Sequence, residues 1–406
     1  MRKVYIYDDY QLSSGNGIGT FLKEFARCVA QWGDDIQLCM IMFRTNSEEF
    51  RIGMRGGMEY FFIPRGLCKN PFEECEPVIA ILRKHIIDTR DTFFLINYTL
   101  CDRLMSATRK YFPLSRQVCV IHDFSWTAPL LGDVELFRGL VAKKGREIPF
   151  QYIEMLKLHR READQYRIAD SVVCLSEDSR DILQDCYFVP KEKIALIPHG
   201  ADTIKKTLSV SAKQKWRASY YLNNNEKVIL MVGRVCKTRG MFAYLNAFKK
   251  VLKKEPDCRL VIAGELCNAP DLLAAAGEAV IKITLTGLLD KDKLSCWYRM
   301  ADIGVIPSYS EQYGYVGVEM MAYGLPIVAS DGFGVRCMFQ DGINALVAPI
   351  GNRSSNEYEQ HLADCTLRLL SSLKLRKRLK DSARQILKRK YAFSEMEKHY
   401  KAIFMA

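Results

Sequence analysis

Short apolar runs rich in β-branched and aromatic residues alternate along the chain with longer stretches in which apolar residues recur every three or four positions. The first pattern suits strands covered on both faces of a sheet, and the second suits helices packed by one face. Their alternation is the mark of βαβ units and of parallel sheets. In the first half, strands are predicted at Val4–Tyr7, Ile36–Phe43, Phe93–Ile96, Val118–Ile121 and Ser171–Leu175. A polar break follows at Pro198–Ser211. The pattern then restarts with Val228–Val232, Leu260–Ala263, Thr284–Thr286, Ile303–Pro307 and Ile327–Ala329. Two similar α/β domains facing each other across a cleft fit this better than one large sheet, with a boundary close to residue 202.

Length and composition agree with that reading. The chain has 406 residues, 49% hydrophobic and 26% charged, which is enough to bury a core in each of two domains and far from the balance of a disordered chain. The formal charge of +12 raises nucleic acid, anionic membrane and phosphorylated small molecules as partners. Its distribution narrows the choice. Residues 1–200 carry 27 basic and 27 acidic side chains, so the whole excess lies in the second half, and Lys374–Lys390 alone holds nine cations against Asp381. A balanced first half cannot line one side of a basic nucleic-acid groove without segregating its charges, so nucleic acid is not expected as a partner. In the basic stretch, Leu375, Leu379, Ala383, Ile386 and Leu387 share one helical face. The opposite face is either a solvated surface or a contact for anionic lipid.

No apolar run approaches the roughly 18 to 20 residues of a membrane span, and the first strand meets Asp8 and Asp9 too soon for a signal peptide. A cytoplasmic protein is expected, peripheral on the inner membrane face if the basic helix touches lipid. The 14 cysteines are scattered with no C-x-x-C pair and read as reduced, small hydrophobes. Six dispersed histidines offer no zinc spacing, so no metal and no cofactor is expected.

Three segments carry candidate chemistry. After the first strand, Gly15-Asn16-Gly17-Ile18-Gly19-Thr20 opens an amphipathic helix; it is a poor dinucleotide fingerprint and reads either as a tight turn or as a place where backbone approaches an anion. Gly233-Arg234-Val235-Cys236-Lys237-Thr238-Arg239-Gly240 sets three cations between two glycines at a strand end. That is a diphosphate clamp or a solvated loop, and paired guanidinium donors favour the clamp. The third runs from Pro307 to Pro326: a strand end, a loop presenting Glu311, and a helix starting near Gly314 whose first turns hold Tyr315, Val316 and Glu319. Amides at that helix start favour an anion, and Glu319 suits the vicinal hydroxyls of a ribose.

Taken with Val120-Ile121-His122-Asp123, Val173–Ser179, Ile197–Asp202 and Ala301–Ile303, these segments resemble the retaining family 4 glycosyltransferases of the GT-B fold, whose E-x7-E signature Glu311–Glu319 is similar to. The resemblance covers nearly the whole chain. It implies an acceptor-side Rossmann-like domain over 1–202, a nucleotide-sugar-binding Rossmann-like domain over 203–390, and a terminal helix over 391–406 crossing back to the first. It further implies transfer of a hexose or N-acetylhexosamine, with retention and without metal, in glycan or glycoconjugate biosynthesis. The donor would be a nucleotide diphosphate sugar, UDP-linked first and GDP-linked second; the acceptor would be a hydroxyl of a glycan, a lipid-linked sugar or a peptide. By the same resemblance Arg234 and Arg239 hold the diphosphate, Lys237 shares that role, Glu319 binds ribose and Glu311 contacts the transferred sugar. Gly17 and Gly19 approach the diphosphate from the first domain, His122 hydrogen-bonds the sugar, Gly314, Tyr315 and Val316 offer amides, and Gly264 and Leu288 mark the loops that read the base.

Two departures stand out: Arg239 occupies a common lysine position, and Cys337 stands where a glutamate is usual. Trp126 and the basic, aromatic stretch Lys143–Arg167 are candidate acceptor surface, or else packed structure. A nucleotide-sugar epimerase or hydrolase on the same fold is the nearest rival.

Overall fold

A computed structural model describes residues 1–9, 17–70, 72–73, 75–143, 148–204, 208–223, 225–352 and 356–405. The chain divides into two compact units: Met1–Pro129 with Val134–His199 and Ser394–Ala406, and Leu130–Asp133 with Gly200–Phe393. Each is a parallel-sheet α/β unit.

The first unit contains β1 (Arg2–Asp9), β2 (Ile36–Thr45), β3 (Arg51–Arg55), β4 (Met58–Pro64), β5 (Thr92–Ile96), β6 (Arg116–Val120), β7 (Ser171–Cys174) and β8 (Ile194–Leu196). They lie in the order β3-β4-β2-β1-β5-β6-β7-β8, parallel except for the β3–β4 hairpin. All five β5 residues and the six from Val4 to Asp9 are buried, as expected of central strands covered on both faces. On one face Tyr5 and Tyr7 stack with Phe94. The terminal helix Phe393–Met405 has all but its first residue in this unit. Its Phe404 packs on Phe25, Trp32 and Phe93, its Tyr400 packs on Phe21 and Phe25, and Trp32 Nε1 donates to Glu397 at 2.5 Å.

The second unit contains β9 (Lys227–Val232), β10 (Cys258–Ala263), β11 (Ile283–Gly287), β12 (Ile303–Ile306), β13 (Ile327–Ser330) and β14 (Leu346–Ala348), all parallel, in the order β11-β10-β9-β12-β13-β14. This is the doubly wound 3-2-1-4-5-6 arrangement, whose strand order reverses between β9 and β12. Helices Met241–Leu252 and Glu357–Ser371 cover the sheet with Tyr244, Phe248, Leu362 and Leu369.

Every strand predicted from the pattern is present, with ends moved by one or two residues. The β3–β4 hairpin, β8 and β14 were not anticipated. β8 and β14 have three residues each, too few to show a period, and β3 is an edge strand whose Ile52 and Met54 face solvent.

The basic stretch forms the helix Leu373–Lys390, which buries Leu379, Ala383 and Leu387. Its cations do not form one solvated face. Arg376 Nη1 donates to the carbonyls of Leu369 and Leu370 at 2.6 and 2.9 Å, closing the end of the preceding helix. Arg384 donates to Tyr323 O at 3.3 Å, at the end of the helix Tyr315–Tyr323. Cations at helix C-termini offset the dipole and satisfy terminal carbonyls.

Removing the Phe404 ring tests the docking of the last helix. Phe404→Ala is expected to destabilise the first unit by about 3–5 kcal/mol, as for other buried phenylalanines, read as a fall in the denaturation midpoint.

Candidate functional site

In an open α/β sheet the loops at the carboxyl ends of the strands meet ligands where the strand order reverses. In the second unit those loops are Gly233–Gly240, after β9, and Pro307–Gly314, after β12. Backbone ties them together: the Thr238 carbonyl accepts from Tyr309 N at 2.8 Å and Ser310 N at 3.4 Å. Gly240 starts the helix Met241–Leu252 in the left-handed region, φ 66°, and a Cβ there would fall on the Pro307 carbonyl. Only glycine allows that approach.

Glu311 is buried at the centre of this arrangement. Its carboxylate pairs with the Arg239 guanidinium and accepts from Ser308 Oγ at 3.1 Å. Its own amide donates to Phe333 O at 2.9 Å, in the segment after β13. Gly314, φ 59°, lies over the carboxylate, so that a side chain there would displace Glu311 Oε2. Gly314 also starts the helix Tyr315–Tyr323, which brings the positive end of its dipole to the same place. Glu319, one turn further, accepts from the buried Tyr298 O–H at 2.6 Å, and Tyr298 stacks on Tyr323.

Arg234 and Lys237 are exposed on the first loop and make no ion pair among the described residues. At the ends of the neighbouring strands, Gly233 N donates to Ala263 O at 2.8 Å, Gly264 N donates to Gly287 O at 3.0 Å, and Leu288 is 70% exposed. Arg234, Lys237, Arg239, Gly264, Leu288, Glu311, Gly314, Tyr315, Val316 and Glu319 therefore share the carboxyl edge of one sheet.

Gly17, Gly19 and His122 belong to the first unit. Gly17 and Gly19 open the helix Gly17–Val29, while Gly15 and Asn16 of the glycine segment lie outside the described residues. His122 follows β6. Its ring packs against Phe21 at 5.0 Å and His199 at 5.9 Å, its Nε2 is buried without a hydrogen-bond partner among the described residues, and burial pushes its pKa down to about 4. Burial, with His122 alongside, also holds His199 well below the ordinary histidine value. Of the two readings of Trp126 the structure bears out packing: it is fully buried and stacks on Phe137 at 4.4 Å. Cys337 is half-buried, and its carbonyl accepts from Tyr391 O–H at 3.3 Å; nothing in this explains a cysteine there. Sequence reading missed Ser308, Tyr298 and the Thr238 carbonyl, since none belongs to a spacing pattern and each acts through a contact made by folding.

Two comparisons identify the family. Glycosyltransferase Family 4 matches residues 15–205, and glycosyl transferases group 1 matches residues 212–386. The chain belongs to these glycosyltransferases. The alpha-D-kanosaminyltransferase of Streptomyces kanamyceticus is 27% identical over 235 residues, 57% of this chain and 59% of that protein; the match thus spans about three fifths of that relative's length. Among solved structures, the sucrose-phosphate synthase of Thermosynechococcus elongatus superposes with a TM-score of 0.76 at 18% identity, covering 100% of this chain and 98% of that one. Anabaena HepE, solved in complex with UDP and glucose, gives a TM-score of 0.72 at 15% identity with 100% of both chains covered. These structures share the GT-B fold. Among the described residues no helix of this glycosyltransferase is long and apolar enough to cross a membrane, and no three His, Cys, Asp or Glu are grouped as a metal site.

The half-buried His122 and the buried His199 predict an acid limb in stability. His122 stays neutral in the folded chain down to about pH 4, whereas the unfolded chain takes up the proton near pH 6.5. Protons therefore favour unfolding as pH falls between those values. Denaturation midpoints should drop across this window, and His122→Phe should flatten the drop.

Proposed function

We propose that this glycosyltransferase moves a hexose or N-acetylhexosamine from a UDP-sugar to an acceptor hydroxyl with retention of configuration. The observation that carries the reading is the edge between β9 and β12, where Arg239 pairs with Glu311 beside a helix N-terminus and Arg234 and Lys237 are exposed on the same loop as Arg239. UDP is the first donor to test because HepE is solved with UDP and glucose; GDP is the second. Retention comes from the family 4 resemblance, and the anomeric proton signal of the product tests it. The relatives compared are transferases, which places the epimerase and hydrolase alternatives behind this one.

In this reading Arg234 and Arg239 bind the diphosphate with Lys237 beside them, and the amides of Gly314, Tyr315 and Val316 face the same anion. As the glycosidic bond breaks, the leaving nucleotide gains negative charge, so preorganised cations and amides stabilise the transition state more than the ground state. That set of charges takes the part a divalent cation plays elsewhere, and chelation by EDTA should leave turnover unchanged. Glu319, fixed by Tyr298, accepts from the ribose hydroxyls. Glu311 accepts from hydroxyls of the transferred sugar and faces the positive charge developing on its ring. Gly264 and Leu288 flank the base. His122 is assigned to the sugar, with Gly17 and Gly19 toward the diphosphate, on the resemblance alone. The acceptor, whether glycan, lipid-linked sugar or peptide, is left open. Contact with an anionic membrane would fall to the exposed Lys374, Lys377, Lys388 and Arg389, and sedimentation with anionic vesicles tests it.

Two substitutions separate binding from chemistry. Glu311→Gln should abolish transfer and leave UDP affinity within about threefold, while Arg234→Ala should weaken UDP binding on the order of tenfold or more, as expected for one charge-assisted contact. Calorimetric titration with UDP and a coupled UDP-release assay measure the two effects. Unchanged turnover in Glu311→Gln rejects the reading.

A further inference from the structure

The helix Ile153–Ile168 carries a carboxylate that the proposed chemistry leaves unused. Glu162 is fully buried, and among the described residues no cation is bonded to it. One oxygen, Oε1, accepts from the Ser125 amide at 2.7 Å, and Oε2 accepts from the Tyr187 hydroxyl. Burial pushes the Glu162 carboxyl up to about 7, against the lowering effect of those two donors. An apolar pair at 162 and 187 would leave nothing unsatisfied at their own contact. What such a pair cannot do is grip the Ser125 amide.

Ser125 lies in the loop that leaves β6, three residues after His122. Elsewhere in this loop Asp123 Oδ1 accepts from Phe124 N at 2.9 Å and Thr127 Oγ1 at 2.8 Å, Thr99 Oγ1 donates to Asp123 O at 3.1 Å, and Phe124 packs on Tyr166 and Tyr187. One helical turn after Glu162, Gln165 accepts from Cys101 N at 2.7 Å and donates to Tyr98 O at 3.1 Å, holding the loop that leaves β5. Two buried polar side chains three positions apart thus face the same way and grip adjacent loops at the carboxyl edge of the first sheet. We infer that Glu162 is a positioning residue for sugar transfer: by clamping the Ser125 amide it fixes the loop that carries His122. This rests on the functional reading above insofar as His122 acts on the sugar.

The test uses the full chain and two variants. Glu162→Gln keeps an oxygen for the Ser125 amide and an N–H for the Tyr187 oxygen. Glu162→Leu with Tyr187→Phe removes the clamp and leaves no orphaned hydroxyl. In spectra of protein labelled with 15N-histidine, with His122 assigned through a His122→Gln variant, the His122 ring signals should be unchanged in Glu162→Gln and displaced or broadened in the double variant. Unchanged signals in a folded double variant overturn the inference, whatever the protein catalyses. With UDP-glucose as the probe, kcat for UDP release should fall about 10- to 100-fold in the double variant, the size of effect expected from misplacing a reacting group. KM should stay within about twofold, and Glu162→Gln should restore kcat to within about threefold of wild type. A double variant with wild-type kcat also overturns the inference. If the wild type releases no UDP from UDP-glucose without a glycosyl acceptor, the histidine spectra alone decide the role of Glu162.

Discussion

An ionised carboxylate leaves water at little cost only where donors and positive charge converge on it, and in the second unit Glu311 meets that condition. Ser308 supplies a hydroxyl, Arg239 a guanidinium, and the Gly314 helix start a dipole end. Each requirement reaches further into the fold. Arg239 is aimed by a loop whose Thr238 carbonyl is tied to Tyr309, Gly240 must pass under the Pro307 carbonyl, and the Glu311 amide must find Phe333. The loops after β9, β12 and β13 are in this way interlocked around one charge.

The pairing of Arg239 with Glu311 also bears on the order of events in the proposed reaction. Without a donor the two groups neutralise each other, which keeps a buried carboxylate and a half-buried guanidinium compatible with a closed loop. An arriving diphosphate would compete for the guanidinium with its own oxygens, and a sugar hydroxyl would then donate to the carboxylate. A planar fork can contact two anions at once, which a single ammonium point charge does less well. Arginine at position 239, where lysine is common in the family, suits that double engagement.

Periodicity made the fold legible because its strands are buried on both faces and its helices on one, so each element leaves its own pattern. Edges escaped for the same reason: β3 is half in water, and β8 and β14 are too short to repeat anything. The candidate site can be read as far as it lies within single loops, which is why Arg234, Lys237, Arg239, Glu311 and Glu319 are proposed from spacing and resemblance. Tyr298 could not be, because its partner Glu319 is 21 residues away and only the packing of two helices joins them. Trp126 is open to two readings in sequence for a related reason. An aromatic beside a basic stretch reads as a docking surface or as core, and only folding, which lays Phe137 flat against it, decides for core.

Net charge shows why a total says little where a location says much. The +12 is carried by the second half, yet its cations do different physical work. Arg376 and Arg384 end helices, and Arg384 ends the very helix whose N-terminus faces Glu311. A cation at one end of that helix and an anion site at the other are both favourable to the same dipole. Part of the basic excess that first suggested a polyanion thus supports, at a distance of about two and a half helical turns, the proposed anion-binding edge between β9 and β12.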